Sequence, residues 1–267
     1  MTETQVPKRF LDIIDDQLST YKNCSTVQVV NQIPNTQKIP IEKENHWLRI
    51  PDVICVFVDM IGSTKFSAQR HDNSTASAYQ LFTGTAVRLF HAFDTPYIDV
   101  RGDGVFALFN KNQPYRAIVA AITFKTFIEK VFTPELKKKT KLEVGCHIGI
   151  DQKTVLVRKI GLKQYSGRSD RQNEVWAGKP INMAAKLASK TKRGELLVSD
   201  RYFNQLKDGR VLNSCGCPSG EKKTLWTTAD LSDDDKFDFD TGYLLKSIWC
   251  EKHGAEYCEN ILKLDKE

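Results

Sequence analysis

Short β-branched runs alternating with helical apolar stripes predict an α/β (α+β) fold, and three stretches carry that expectation. The first is Val53-Ile54-Cys55-Val56-Phe57-Val58, closed by Asp59 and followed by Met60-Ile61-Gly62-Ser63-Thr64. It reads as a buried strand that delivers a carboxylate to a strand-to-helix turn. The second, residues 97–109, sets apolar runs on either side of Gly102-Asp103-Gly104, the pattern of a tight hairpin with an acid at its tip. The third is the stripe Phe82, Ala86, Leu89, Phe90 and Phe93, spaced for one face of a long helix that Asn73 or Ser74 can cap.

In chain order, residues 7–18 read as a short helix with Phe10, Ile13, Ile14 and Leu18 on one face, free to pack on the domain or on a second protomer. Residues 23–50 are polar and broken by Pro34 and Pro40, so a loop with a short strand at 26–30 is expected. The core strand 53–58, the long helix and the hairpin follow. A helix over 114–131 would bury Ala117, Ala121, Phe124, Ile128 and Val131. Strands are expected at 142–150 and 154–160, joined by a turn at Asp151-Gln152-Lys153. The polar stretch 161–173 reads as a loop near a charged ligand, with Arg168 or Arg171 within reach of phosphate. Helical periodicity resumes at Ile181, and 196–198 and 200–206 add a strand and a helix. Strand, helices, two strands, helix, strand is the split βαβ order, a ferredoxin-like βαββαβ core.

The chemistry lies in the acids. Backbone N–H groups of Ile61, Gly62, Ser63 and Thr64 at a helix N-terminus favour phosphate, and Asp59 beside them can hold the divalent metal that accompanies a triphosphate. The plain alternative is that Asp59 caps the helix, and Gly-Asp-Gly is also an ordinary turn. A third stretch, Val175-Trp176-Ala177-Gly178-Lys179-Pro180-Ile181-Asn182-Met183-Ala184-Ala185-Lys186-Leu187, sets Asn182 and Lys186 one helical turn apart on one face.

In this order and spacing the three motifs resemble those of the class III nucleotide cyclases, over roughly residues 50–230. The resemblance implies that Asp59, Asp103 and the Met60 carbonyl hold two divalent ions, Mn²⁺ or Mg²⁺. It implies that Phe57 and residues 61–64 line the nucleotide, that Asn182 orients the ribose, and that Lys186 steadies the α-phosphate. Lys186 stands where the family usually has Arg, keeping the charge without the planar fork. Lys222 and Lys223 lie where the family often places a phosphate-binding Lys. The family's sites are shared across a two-fold interface, so a homodimer is expected. The purine-reading positions hold Asp99 and Val175, neither of which reproduces the purine reader. With Trp176-Ala177-Gly178 and Lys186, the sequence is most similar to the bacterial Pycsar pyrimidine cyclases, which make cyclic UMP or cyclic CMP during phage infection to activate an effector. UTP is expected over CTP. Asp99 and Arg101 alternate with Val100 and so share a strand face. Asp99 can accept from uracil N3–H or cytosine N4–H₂ and Arg101 can donate to O2 or O4, unless the two form only a salt bridge.

The remaining features bound the reading. At 267 residues, 40% hydrophobic, 27% charged and with a net charge of +6, the chain fits one globular domain, 51–230, with an N-terminal segment 1–50 and a C-terminal extension 231–267. Neither a membrane span nor a signal peptide is expected, and the seven cysteines read as reduced thiols of a cytoplasmic protein. No nucleic-acid-binding motif supports a nucleic-acid partner. A silent nucleotide-binding domain would have no need of two metal acids, and the Gly-Gly-Asp/Glu-Glu-Phe signature of diguanylate cyclases is missing. Cys215, Cys217, Cys250, His253 and Cys258 could supply the four ligands of a zinc ion.

Overall fold

The computed structural model describes residues 6–23, 25–41, 46–64, 72–140, 144–162 and 171–265. Helix α1 (Leu11–Lys22) precedes strands β1 (Thr26–Val29) and β2 (His46–Ile61). Helix α2 (Asp72–Ala92), hairpin strands β3 (Tyr97–Arg101) and β4 (Gly104–Phe109), and helix α3 (Pro114–Phe127) follow. A π-turn at Ile128–Phe132 leads into α4 (Thr133–Thr140), then β5 (Gly145–Gly161), β6 (Gln172–Gly178) and α5 (Lys179–Lys190). The chain closes with β7 (Leu196–Ser199), short helices α6 (Asp200–Phe203) and α7 (Gly209–Leu212), strands β8 (Trp226–Asp230) and β9 (Thr241–Leu245), and α8 (Gly254–Leu262).

Among the described residues nine strands make one sheet of order β3-β4-β2-β5-β7-β9-β8, with β1 paired to β2 and β6 to β5. Its first four strands, β3-β4-β2-β5, are the ferredoxin-like order that the βαββαβ reading requires. Strand β9 runs between β7 and β8, so residues beyond 230 complete the sheet. The expected strand 53–58 is only the middle of β2, which runs for 16 residues because β5 pairs with it from Leu48 to Ile61. Between Ile50 and Val53 the register shifts: Pro51 and Asp52 face only Thr154, a β-bulge that accommodates a residue with no N–H to give the ladder. Asp52 takes φ +53° there, and Gln152 Nε2 donates to its carbonyl at 3.2 Å.

The expected turn at Asp151-Gln152-Lys153 is not formed; β5 is one strand of 17 residues. The polar trio looked solvated, but Asp151 is fully buried and Arg201 grips its carboxylate through Nε at 2.7 Å and a second guanidinium nitrogen at 2.5 Å. A bidentate Arg offsets the cost of burying that charge. Other boundaries move less. Helix α2 starts at Asp72, so Asn73 and Ser74 lie inside its first turn. The 114–131 helix ends in the π-turn, and α6 is shorter than expected. Helix α1 starts four residues later than expected and buries nothing on the domain; Phe10, Ile13 and Leu18 are exposed.

Period-two alternation splits the sheet into two faces. Ile54, Val56, Val58 and Met60 meet α2 and α3, where Phe82 packs edge-on to Phe124 at 5.2 Å and touches Phe132 at 5.5 Å. Truncating such a ring costs roughly 3–5 kcal/mol. Val53, Cys55 and Phe57 meet the other layer, which holds α5 and the segment carrying Ile33 and Ile39. Helix α5 sits directly on Gly149, where a Cβ would lie 2.0 Å from the Ala184 carbonyl oxygen. Buried Lys125 ties α3 to the chain after β9, donating to the carbonyls of Lys246 (2.6 Å) and Ser247 (3.0 Å) and to Glu129 (2.9 Å).

Candidate active site

Asp59 and Asp103 come together because β2 and β4 are neighbours. Val58 is registered with Val105, which sets Asp59 against Gly104, the first residue after the hairpin tip. That tip is a two-residue turn, Gly102-Asp103, closed by the Arg101–Gly104 pair, with Gly102 at φ +66°. Positive φ at the first turn position is what a II′ hairpin demands of glycine. A Cβ on Gly104 would meet Phe57 Cζ at 3.1 Å and Asp59 Oδ1 at 3.4 Å, so the chain passes close over the carboxylate. Burial and then repulsion from Asp103 push the Asp59 carboxyl above its ordinary range, against the pull of His147 and a hydrogen bond from the Met60 N–H.

His147 is a site residue that the motifs did not reveal. It stands opposite Asp59 on β5, and its Nδ1 lies 3.2 Å from Thr191 Oγ1. Its neighbours in sequence, Cys146 and Ile148, mark it only as one position in an apolar strand. Strand β2 runs past Asp59, pairing Met60 with Cys146 and Ile61 with Gly145. Ile61 is therefore in the sheet, and the turn begins at Gly62 (φ +85°), with Ser63 and Thr64 helical. The continuation lies outside the described residues.

Asp99 and Arg101 lie on the same face of the sheet, at the hairpin's outer strand. They pair at 2.9 Å, Arg101 Nε donating to Asp99 Oδ2, with Asp99 the more sheltered of the two. Around them is a cleft of about 470 Å³ to which Tyr97, Lys159, Gln172 and Glu174 also contribute. Strand β6 closes it: the Trp176 ring lies 4.5 Å from Tyr97, and burial together with a hydrogen bond to Glu174 pushes the Tyr97 phenol far up, keeping it neutral. Val175 alternates with Glu174 and Trp176, so its side chain takes the opposite side of β6 from the pair that meets Tyr97. Tyr97 and Glu174 were not singled out from sequence, because a Tyr at a strand start and a Glu in a polar loop carry no pattern of their own.

Helix α5 lies on the same layer as Asp59. Its Met183, Ala184, Leu187 and Ala188 are buried, which leaves Asn182 exposed and Lys186 half-buried. Lys186 Nζ donates to the Lys236 carbonyl at 2.6 Å. The acidic segment after β8 is fastened along the helix, Asp234 by Lys190 at 2.5 Å and Asp238 by Lys179 at 2.8 Å. Among the described residues no hydrogen bond or ion pair joins Asn182 or Lys186 to Asp59 or Asp103. Arg168 lies outside the described residues, and Arg171 begins the approach to β6. Lys223 makes a surface pair with Glu221 at 3.5 Å.

No protein-family model matches the chain. It is 33% identical over 264 residues to a uridylate cyclase of Propioniciclava tarda, a match that covers 96% of this chain and 84% of the relative. It is 32% identical over 268 residues to a uridylate cyclase of Micromonospora echinofusca, covering 98% and 86%. Among solved structures, the adenylyl cyclase CyaB of P. aeruginosa superposes with a TM-score of 0.58 at 15% identity, over 77% of this chain and 97% of that one. At that identity the likeness is one of fold.

Proposed function

The chain belongs to the uridylate cyclase family, and from that premise we propose that it converts UTP to 3′,5′-cyclic UMP and pyrophosphate. The observation that supports the chemistry is the meeting of two acids, Asp59 on β2 and Asp103 at the tip of the neighbouring hairpin. Two carboxylates that repel each other in a half-buried site fit divalent cations, and the Met60 carbonyl, one residue on, is the third oxygen to hand. Bound there, Mn²⁺ or Mg²⁺ would supply Lewis acidity toward the 3′-hydroxyl and the phosphates.

The chain's own residues supply position and charge. The 3′-hydroxyl gives up its proton to solvent water, its oxygen attacks the α-phosphorus in line, and the bond to pyrophosphate breaks. Phe57 and the backbone around Gly62, Ser63 and Thr64 border the triphosphate, with the Ile61 amide at the edge of the sheet. Asn182 and Lys186 of a second protomer orient the ribose and stabilise charge on the α-phosphate, which completes a site that one chain leaves without them. Asp99 and Arg101 meet the base in the cleft beside Tyr97 and Glu174, while Val175, on the other side of β6, does not line that cleft. CTP is the second reading, because Asp99 can accept from cytosine N4–H₂ as well as from uracil N3–H.

By this reading the product is a second messenger in bacterial antiphage defence, made in the cytoplasm and sensed by a separate effector. No helix among the described residues is long and apolar enough to cross a membrane. Purified protein with UTP and Mn²⁺ should release cyclic UMP, and Asp59→Ala and Asp103→Ala should each lower turnover by at least about a hundredfold with the fold intact. Full activity in either variant would overturn the metal assignment.

A further inference from the structure

On the face of the sheet away from Asp59, four soft ligand atoms converge. Cys215, Cys217, Cys250 and His253 place their ligand atoms within 4.8 Å of one another, and the Cys217 sulfur lies 3.3 Å from His253 Nδ1. Cys250 lies 4.0 Å from the same nitrogen. We propose that these residues form a closed zinc site that staples the 213–224 hairpin to the start of α8.

The local chain is shaped for it. Gly216 sits at φ +90° between the two cysteines, and a Cβ there would strike the Gly220 carbonyl oxygen at 2.7 Å. The left-handed turn folds Cys215-Gly216-Cys217 back so that both sulfurs face one point, which explains how a spacing tighter than the usual knuckle can serve. Cys250 and His253 stand three residues apart where the chain enters α8, with Gly254 N–H bonded to the Cys250 carbonyl at 2.7 Å. Apart from the cluster, the segment before α8 is held to α3 by hydrogen bonds, from Lys125 to the Lys246 and Ser247 carbonyls and from the Trp249 N–H to Thr126 Oγ1 at 3.2 Å. The hairpin is closed by the isolated bridge Asn213 to Thr224 and by the Ser214 N–H on the Lys223 carbonyl at 2.8 Å, and of its residues 214–224 only Gly216 is buried. The chain at 246–253 has no regular structure.

The donor set selects the ion. Three thiolates and one imidazole make a tetrahedral Cys₃His set typical of structural zinc, with no position left for water or substrate. Zn–S and Zn–N bonds of about 2.3 and 2.1 Å require ligand atoms about 3.5–3.8 Å apart, so the cluster need contract only slightly. Binding would displace the three thiol protons to solvent and take His253 neutral through Nδ1, leaving a net charge of −1. A disulfide would use two of the sulfurs and strand the third beside the imidazole, and none is formed among the described cysteines. Cys258 does not belong to the set: its sulfur turns toward Thr123 on α3. The cluster abuts Ile118 and Ile122 of α3, on the layer opposite the two acids, so the role is structural.

Full-length protein purified under reducing conditions without chelator should carry about one zinc per chain by plasma mass spectrometry. Cys215→Ser and Cys250→Ser should lose it, and Cys258→Ser should keep it. Should the ligand variants fail to fold, wild-type protein stripped by a chelator should melt at a lower temperature and recover when zinc alone is returned. Cobalt in its place should give the absorption of a tetrahedral thiolate site. Wild-type protein that holds no zinc after incubation with it, equal loss in Cys258→Ser, or a mass showing an intact disulfide would each overturn the proposal.

Discussion

At the scale of single residues, the account depends on where carboxylates stand. Burial and then the neighbouring Asp103 make Asp59 costly to keep charged, a cost that the proposed cations would relieve. Asp99 is different, because its charge is already matched by Arg101 at 2.9 Å. An exposed pair of this kind contributes at most about 1 kcal/mol to stability, so Asp99→Ala should melt within a few degrees of wild type. If the pair reads the base, the same variant should lower UTP turnover by a much larger factor, and the loss should be smaller for nucleotides that never used the contact. Steady-state rates on UTP and ATP beside a thermal melt separate the two roles. A variant with unchanged turnover would leave the pair as a surface salt bridge only.

At the scale of elements, both motif strands and the helix after Trp176 were legible because continuous apolar runs and helical periodicity both follow from burial. Their lengths were not. A strand's extent is set by its neighbours, and nothing in Asp151-Gln152-Lys153 tells that Arg201, 50 residues on, neutralises the buried acid. His147 and Glu174 were hidden for the same reason, since only register brings them to Asp59 and Tyr97. Two consequences can be measured. Gly149→Ala would push a methyl into the backbone of α5 at Ala184 and Ala188, so the helix must move. A loss of about 1–3 kcal/mol in urea unfolding is expected, with a fall in kcat because Asn182 and Lys186 ride on that helix. Asp238 gives a pH signature. Burial opposes its charge, but Lys153, Lys179 and Arg201 outweigh burial and hold its carboxyl well below the carboxylate range. A depressed folded pKa means stability that is present above the ordinary value of 3.8 and is lost as pH falls through the lower folded one. Asp238→Asn should therefore be less stable than wild type at neutral pH, and the gap should close as the melt is repeated toward strongly acid pH.

At the scale of the whole molecule, one chain offers the acids Asp59 and Asp103 and, separately, Asn182 and Lys186 on α5, with no hydrogen bond or ion pair joining the sets among the described residues. A two-fold dimer would give each acid pair a partner's helix. Equal amounts of Asp59→Ala and Asn182→Ala chains, each inactive alone, should recover about a quarter of wild-type activity: half of the dimers are mixed and each has one intact site of two. No recovery under conditions that exchange subunits would confine the site to a single chain. The exposed apolar side chains of α1 make its contribution to such a dimer measurable, by sedimentation of a chain lacking residues 1–22. The central claim, that the substrate is a pyrimidine nucleotide, is tested most directly by a single competition. The protein is given ATP, GTP, CTP and UTP at equal concentration with Mn²⁺, and the cyclic products are resolved by mass spectrometry. Cyclic UMP should dominate, with cyclic CMP as the minor product; cyclic AMP or cyclic GMP as the main product would contradict the account.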